Sequence, residues 1–145
     1  MSTATTALLS AAADLRQDSH SGFAATFPPC RSRVGEMRCK TAGRLKAWEI
    51  PQQVAEEIVL AVSELVTNAV IHGEGAICVV VRLLDREVRV EVTDASPQPA
   101  RVSRAGSEDV SGRGMFLVAV FARHIDVSED GYTTTAAFSL PGSRR

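Results

Sequence analysis

The stretch "ELVTNAVIHG" places three side chains that can do chemistry at helical spacing. Glu64, Asn68 and His72 follow one another at intervals of four residues, so in a helix they lie on one face, one turn apart. An amide oxygen is a hard, neutral ligand that suits a Mg²⁺ ion bridging to phosphates, and a carboxylate one turn earlier can accept a proton or orient a hydroxyl. The spacing therefore indicates phosphate chemistry beside this helix. The alternative is an ordinary solvated helix edge.

Two other stretches would complete a nucleotide pocket. Asp94 ends the alternating run "EVRVEVTD", and a carboxylate at a strand end can accept hydrogen bonds from an exocyclic amine such as that of adenine; the alternative is a turn-initiating Asp. In "SGRGMFLV", Gly112 and Gly114 stand at a predicted helix start, where free N–H groups and the helix dipole favour an anion. Arg113 adds a charge-assisted contact, although glycines are also common at ordinary loop-to-helix junctions.

One long helix must carry the first of these groups. The run "IPQQVAEEIVLAVSELVTNAVIHG" has Pro51 in its first turn and Gly73 at its end, which are typical helix boundaries. On a helical wheel, Glu57, Glu64 and Asn68 border the apolar arc instead of opposing it. Such a stripe would line a cleft whose floor is a sheet.

The remaining elements predict the fold class. Short β-rich runs, with turns at Asp85–Arg86 and Asp130–Gly131, alternate with helical patterns at 31–48 and after the long loop 95–111. This order predicts an α+β two-layer sandwich, with helices on one face of a mixed, mainly antiparallel sheet. The predicted organisation is a flexible N-terminal extension over 1–22, where Leu8 to Leu15 form at most a weak helix, a folded domain over 23–141 and a tail over 142–145.

Composition excludes several classes of function. The 145 residues suit one domain, and 16 Lys+Arg against 17 Asp+Glu give a net charge of -1, which argues against a nucleic-acid partner. No apolar run approaches the ~20 residues of a membrane span. The N-terminus lacks a secretory pattern, so a cytoplasmic protein without a membrane partner is expected. Without a CxxC pair, Cys30, Cys39 and Cys78 are expected to be reduced thiols and not a disulfide or zinc framework.

The motifs together resemble a known family. "ELVTNAVIHG" looks like the N-box, "TDASPQPA" stands where the first glycine box belongs, and "GRGMFLV" looks like the second glycine box of the GHKL ATP-binding fold. That fold is shared by gyrase, histidine kinases and anti-sigma-factor serine kinases. The resemblance covers about residues 23–140, and the single short domain is most similar to the anti-sigma-factor kinases of bacteria.

The resemblance implies a role for each matching residue. Asn68 would hold the Mg²⁺ that bridges the ATP phosphates, Glu64 would be the base or orienting group for the attacking hydroxyl, and Asp94 would bind the adenine amine. The further nucleotide-binding positions that it implies are His72, Ser96, Pro97, Gly112, Arg113, Gly114, Met115 and Thr133. One departure is the first glycine box, where better-known kinases read D-x-G-x-G and this chain reads "DASPQPA"; its proline fixes the local chain and removes an N–H.

Two functions follow from the resemblance. The first is a Mg-ATP-dependent serine/threonine protein kinase that phosphorylates a STAS-domain anti-sigma-factor antagonist in a partner-switching pathway. The second is a non-catalytic binding module of the same fold, which would sequester a sigma factor or an antagonist with little ATP turnover, as the altered glycine box suggests. Family members form dimers, so a homodimer is a further expectation. A DNA-binding regulator is disfavoured by the charge balance and the lack of a helix-turn-helix pattern.

Overall fold

The computed structural model of the protein describes residues 21–72, 74–94, 118 and 121–141. Within these residues one strand is followed by two helices and then by four strands. Their bounds are β1 (Gly22–Phe27), α1 (Ser32–Ala47), α2 (Gln52–His72), β2 (Ile77–Leu83), β3 (Glu87–Thr93), β4 (His124–Val127) and β5 (Thr133–Ser139).

The strands form one sheet in the order β1-β2-β3-β5-β4. Each pairing found among the described residues is antiparallel. The helix α2 packs on β2, β3 and β5, and α1 packs beside α2. The predicted α+β sandwich, with helices on one face of a mainly antiparallel sheet, is therefore confirmed.

The helix α1 forms although two glycines weaken its helix propensity. Gly35 and Gly43 are exposed, and no neighbouring atom would meet a Cβ added at either position. Met37, Thr41 and Leu45 recur at helical spacing and are buried. Packing of this face against the core thus stabilises the helix where the local sequence does not.

The helix α2 follows the boundaries that its sequence predicts. The Pro51 carbonyl accepts the Ala55 N–H at 2.9 Å, which closes the first turn. The apolar side is continuous and turns towards the sheet; its fully or nearly fully buried residues are Ile58, Ala61, Val62, Leu65, Val66 and Ala69.

Both predicted hairpin turns are present. The Leu84 N–H donates to the Glu87 carbonyl at 2.8 Å between β2 and β3. Between β4 and β5, Gly131 adopts φ 80, a left-handed conformation that glycine reaches without strain. Hydrogen bonds from the Ser128 hydroxyl and then from the Tyr132 N–H hold the pKa of Asp130 below its usual value, so this turn contains an ionised carboxylate near neutral pH.

The two faces of the sheet differ in chemistry. Val88, Val90 and Val92 of β3 are buried in the main core beneath the helices, whereas Glu87, Arg89 and Glu91 alternate with them on the outer face. The alternation predicted for β3 is thus confirmed.

None of the described helical segments combines the length and the hydrophobicity of a membrane span. The predicted extension and tail lie almost wholly outside the described residues. The domain boundaries therefore stay predictions.

Candidate functional site

The polar stripe of α2 runs along the border of the core. Glu57, Glu64 and Asn68 are half-buried and His72 is exposed. Ala61 falls among them on the helical wheel, and it is fully buried. The stripe therefore lies between the core and the solvent-exposed face of the helix. Side chains in this position can line one side of a ligand-binding cleft.

The end of α2 reaches the same end of the sheet as two strand termini. The chain passes from α2 to the start of β2 over residues 73–76, which keeps the two close together. Cys78, at the start of β2, pairs with Thr93 at the end of β3, and Thr93 pairs with Thr133 at the start of β5. The topology therefore brings the end of the polar stripe to the end of the sheet where Asp94 follows β3.

Hydrogen bonds fix the backbone at this end of the sheet. The Thr93 and Thr133 hydroxyls lie 2.8 Å apart and share a hydrogen bond. The Asp94 N–H donates to the Tyr132 carbonyl at 3.0 Å, which continues the ladder one residue beyond β3. Asp94 is half-buried, and its backbone is held in a fixed position at the end of β3.

The register decides which side chains face the helices at this end. Val92 lies in the core and pairs with Thr134, so alternation places Thr134 and Asp94 on the helix-facing side. Thr133 and its partner Thr93 lie in the opposite row. Sequence reasoning missed Thr134: the run of three threonines does not show which of them faces inward, and only the pairing with β3 decides it. The nucleotide-binding role of Thr133 stays a prediction. Thr134, which faces the helices, is the alternative threonine for that role.

The two central groups of the stripe keep their bonding capacity. Neither the Glu64 carboxylate nor the Asn68 amide forms a side-chain hydrogen bond or ion pair with another described residue. A half-buried amide oxygen in this state is a suitable ligand for a magnesium ion that also contacts phosphates. The donor chemistry of the stripe therefore fits a magnesium–nucleotide complex.

Glu64 also borders a second feature that the sequence did not indicate. An open groove of about 630 Å³ lies between α1 and α2, and Glu64 stands at its edge beside Ser63. On the wheel Glu64 lies between Ser63 and Asn68, so its carboxylate can be reached from the groove and from the polar stripe. The other lining residues of the groove include Arg38, Ala42, Ala55, Val59 and Leu60.

Several predicted positions lie outside the described residues: Ser96, Pro97, Gly112, Arg113, Gly114 and Met115. The end of the helix predicted after the second glycine stretch is described at Val118 and Phe121, which are both helical. Val118 is buried in the same core as the apolar side of α2, and the Ala122 N–H donates to its carbonyl at 2.8 Å. The end of this segment thus packs into the core that α2 helps to form.

A comparison with protein families agrees with this arrangement. The sequence profile of the family described as histidine kinase-like ATPase domain matches residues 27–138. The chain belongs to this family. The matched range includes α2, both hairpins and the sheet end described above, so the resemblance to the GHKL fold is confirmed, and ATP is the nucleotide expected of such a histidine kinase-like ATPase domain.

A solved structure shows the same fold. The domain is similar to the RsbU and RsbW domains of Rv1364c from Mycobacterium tuberculosis, with a TM-score of 0.60 and 20% sequence identity. The similarity covers 82% of this chain and 32% of that chain, so the chain spans about a third of the length of that solved protein. No curated protein matches the chain.

Proposed function

We propose that this histidine kinase-like ATPase domain is a serine/threonine protein kinase that binds Mg-ATP and phosphorylates a STAS-domain anti-sigma-factor antagonist. The observation that supports this most is the pair Glu64 and Asn68. They lie one turn apart on the border of α2, without side-chain partners among the described residues, and the end of this helix reaches the sheet end where Asp94 follows β3.

Asn68 would hold the magnesium ion. When bound, Mg-ATP supplies the transferable phosphoryl group and the positive charge that screens its oxygens. The Asn68 amide oxygen is neutral, so it can bind the metal without repelling the phosphates. The predicted anion site at Gly112 to Gly114, with Arg113, would bind the phosphate end of the nucleotide.

Glu64 would orient the acceptor hydroxyl and take its proton. Phosphoryl transfer depends mainly on positioning and on electrostatic stabilisation, so a carboxylate at the acceptor fixes the line of attack. Its place between the α1–α2 groove and the polar stripe supports this role. An acceptor segment lying in the groove could present a hydroxyl to Glu64 while Asn68 keeps its contact with the metal.

Asp94 would recognise the adenine. Its carboxylate accepts hydrogen bonds, and the exocyclic amine of adenine donates them. The Asp94 backbone is held to Tyr132, so the carboxylate starts from a fixed position. The Thr134 hydroxyl of the neighbouring strand faces the same side as Asp94 and would support the adenine contact in place of or beside Thr133.

The product would act through charge. A phosphate on the antagonist adds about two negative charges and disrupts an interface by repulsion and desolvation. The partner-switching role, with a sigma factor as a second partner and a homodimer as the assembly, is part of the same proposal and rests on the resemblance to anti-sigma-factor kinases.

Phosphate transfer tests the proposal. The intact chain is incubated with γ-labelled Mg-ATP and a set of STAS-domain antagonists, and label on serine or threonine is measured. Glu64→Gln should lower the transfer rate by about 100-fold or more, the range of general acid–base effects, while Mg-ATP binding persists. Glu36→Gln is the control, because Glu36 is an exposed carboxylate of α1 that pairs with Arg33 and does not line the groove.

Two outcomes would contradict the kinase. One is the absence of transfer to every antagonist, and the other is equal transfer by wild type and Glu64→Gln.

The second candidate is a binding module without turnover. The proline-bearing "DASPQPA", in place of a glycine-rich first box, supports it. Titration calorimetry with an antagonist, with and without Mg-ATP, separates the two: nucleotide-dependent binding without labelled product supports the module, and clear phosphate transfer rejects it.

A further inference from the structure

The two edge strands in the described part of the sheet differ in sequence. β1 and β4 stand at the two ends of the strand order. β4 is four residues long and carries the exposed polar side chains of His124 and Asp126, and a short, charged edge discourages pairing with a further strand. β1 is six residues long, and its sequence, GFAATF, contains no charged residue. Of the two, β1 is therefore the edge that can accept another strand.

The backbone of β1 directs hydrogen-bonding groups away from the sheet. The Gly22 carbonyl accepts a hydrogen bond from the Arg44 guanidinium at 2.9 Å, so it points away from β2. Alternate residues of an antiparallel strand direct both backbone groups to the same side, and Ala24 and Thr26 therefore share the outward direction of Gly22. Within the described residues, the backbone of neither one bonds to a group outside the sheet. The N–H and carbonyl groups of both residues can thus pair with an added strand.

A row of cations follows this edge on the helix side. Arg33, Lys40 and Arg44 fall within about 40° of one another on the α1 wheel. Arg33 lies over the Phe27 ring at 5.4 Å. Lys40 and Arg44 lie over the Phe23 ring at 5.1 and 5.4 Å. Since the two rings lie near opposite ends of β1, the cationic row extends along the strand.

The positive charge of this row is only partly balanced. The one acidic residue of α1 is Glu36, which lies 3.6 Å from Arg33. Lys40 is exposed and forms no ion pair with a described residue, and the Arg44 guanidinium bonds a neutral carbonyl. An aromatic ring attracts a cation without neutralising its charge. An excess of positive charge therefore stands beside the β1 edge.

We propose that the β1 edge is a docking site for an extended acidic segment of a partner protein, which adds to the sheet as a further strand. Backbone hydrogen bonds with Ala24 and Thr26 give the affinity, and the side chains of the segment give the specificity. The cationic row and the groove residues Arg38 and Ala42 lie on opposite flanks of the buried face of α1. The docking site is thus separate from the α1–α2 groove and from the proposed phosphate transfer.

The cationic row sets the charge pattern of the segment. Successive side chains of a strand alternate between the faces of the sheet, so every second residue of the segment lies on the helix side. Phe23 and Phe27, which mark the two ends of the row, are four residues apart. Carboxylates four residues apart in the segment can therefore contact Lys40 at one end and Arg33 at the other.

A second copy of this chain suits the edge less well. Two β1 strands that pair around a two-fold axis would place both α1 helices on the same side of one continuous sheet. Their cationic rows would then lie next to each other across the junction, and like charges repel. An acidic segment meets the same row with attraction.

A synthetic peptide and the full-length chain provide the test. The probe is the capped peptide Thr-Glu-Thr-Val-Thr-Glu-Thr, whose glutamates have the required spacing. One control peptide has lysine in place of both glutamates, and the other is N-methylated at its inner threonines, which removes donors to β1. Titration calorimetry at low salt measures binding, and hydrogen exchange of the Ala24 and Thr26 amides reports its place. The acidic peptide should bind and slow both amides, and neither control should do so.

Variants of the protein localise the peptide. Lys40→Glu should weaken binding of the acidic peptide by about 5-fold, because an attraction becomes a repulsion. Lys46→Glu is the matched control on the exposed side of α1 and should change the affinity by less than about 2-fold. Ala24→Pro removes one outward N–H and should weaken binding by at least about 10-fold. Thermal unfolding checks the fold of each variant, and Lys40→Glu alone decides the test if Ala24→Pro does not fold.

Each other result overturns the proposal. Absence of binding, or equal binding of the N-methylated peptide, means that no strand adds at this edge. Equal weakening by Lys40→Glu and Lys46→Glu means that the peptide responds only to overall charge. Slow exchange of the Ala24 and Thr26 amides without peptide means that the edge is already covered, by a second copy if the exchange becomes faster on dilution. Tighter binding of a short oligonucleotide assigns the cationic row to nucleic acid.

Discussion

The two helices use their polar side chains differently. On α1, cationic groups lie over aromatic rings: Arg33 over Phe27 at 5.4 Å, and Lys40 and Arg44 over Phe23 at 5.1 and 5.4 Å. Arg44 also donates to the Gly22 carbonyl at 2.9 Å. The polar groups of α1 thus help to hold β1 against the helix layer.

On α2, by contrast, the groups with the most useful chemistry have no such partners. Glu64 and Asn68 make no side-chain hydrogen bond or ion pair within the described part of the chain, although both are half-buried. Polar groups that stabilise the fold have found their partners inside it, whereas groups that bind a ligand must keep their bonding capacity for it. The comparison therefore supports the proposal that the α2 stripe binds a ligand, whereas the partnered groups of α1 stabilise the fold.

Arg44→Ala on α1 should lower the stability of the fold more than substitutions in the polar stripe of α2 do. It removes a charge-assisted hydrogen bond and two cation–π contacts, with Phe23 and Trp48, which together contribute about 1–2 kcal/mol to the free energy of unfolding. Denaturant unfolding should show this loss, while the affinity for Mg-ATP is unchanged. Lys46→Ala, an exposed cation on the same helix, is the control and should change stability by less than about 0.5 kcal/mol. Weaker ATP binding by Arg44→Ala at full stability would contradict the division between the helices.

A smaller effect distinguishes the two threonines. Thr134→Val should weaken Mg-ATP binding by about 5-fold, since a neutral hydrogen bond contributes about 1 kcal/mol. Thr133→Val should instead lower the free energy of unfolding by a similar amount, because the Thr93 hydroxyl, in a residue only 1% exposed, loses its partner. Calorimetry and denaturant unfolding measure both variants. Weaker Mg-ATP binding by Thr133→Val, with a loss of stability in Thr134→Val, would instead indicate that Thr133 contacts the nucleotide.

Local signals made much of this fold predictable. The ends of α2, the alternation of β3 and the turn at Asp130–Gly131 follow from residues near them in sequence. The helix α1 was harder to predict, because Gly35 and Gly43 weaken a pattern that tertiary packing then stabilises. An element could thus be predicted from the sequence where its local sequence pattern was strong, and was harder to predict where that pattern was weak.

Non-local features could not be read from the chain. Whether Thr133 or Thr134 faces α2 depends on the register with β3, and a shift of one residue exchanges the faces. The burial of Val80 on the outer face likewise depends on the register that places Ala24 and Glu91 beside it. The spacing of Glu64 and Asn68 did predict a polar stripe beside the core, but not the groove that also reaches Glu64.

Binding of Mg-ATP to wild type and Asn68→Ala, measured by titration calorimetry, tests the central claim most directly. A contact between a polar group and a charged one contributes roughly 2–3 kcal/mol to the binding free energy. Loss of the Asn68 contact with the metal in Asn68→Ala should therefore lower the affinity for Mg-ATP by about 100-fold without changing the unfolding midpoint. Gln53→Ala, which removes an exposed amide from the same helix, should bind like wild type. Equal affinity of Asn68→Ala and wild type for Mg-ATP would contradict a nucleotide site at the α2 stripe.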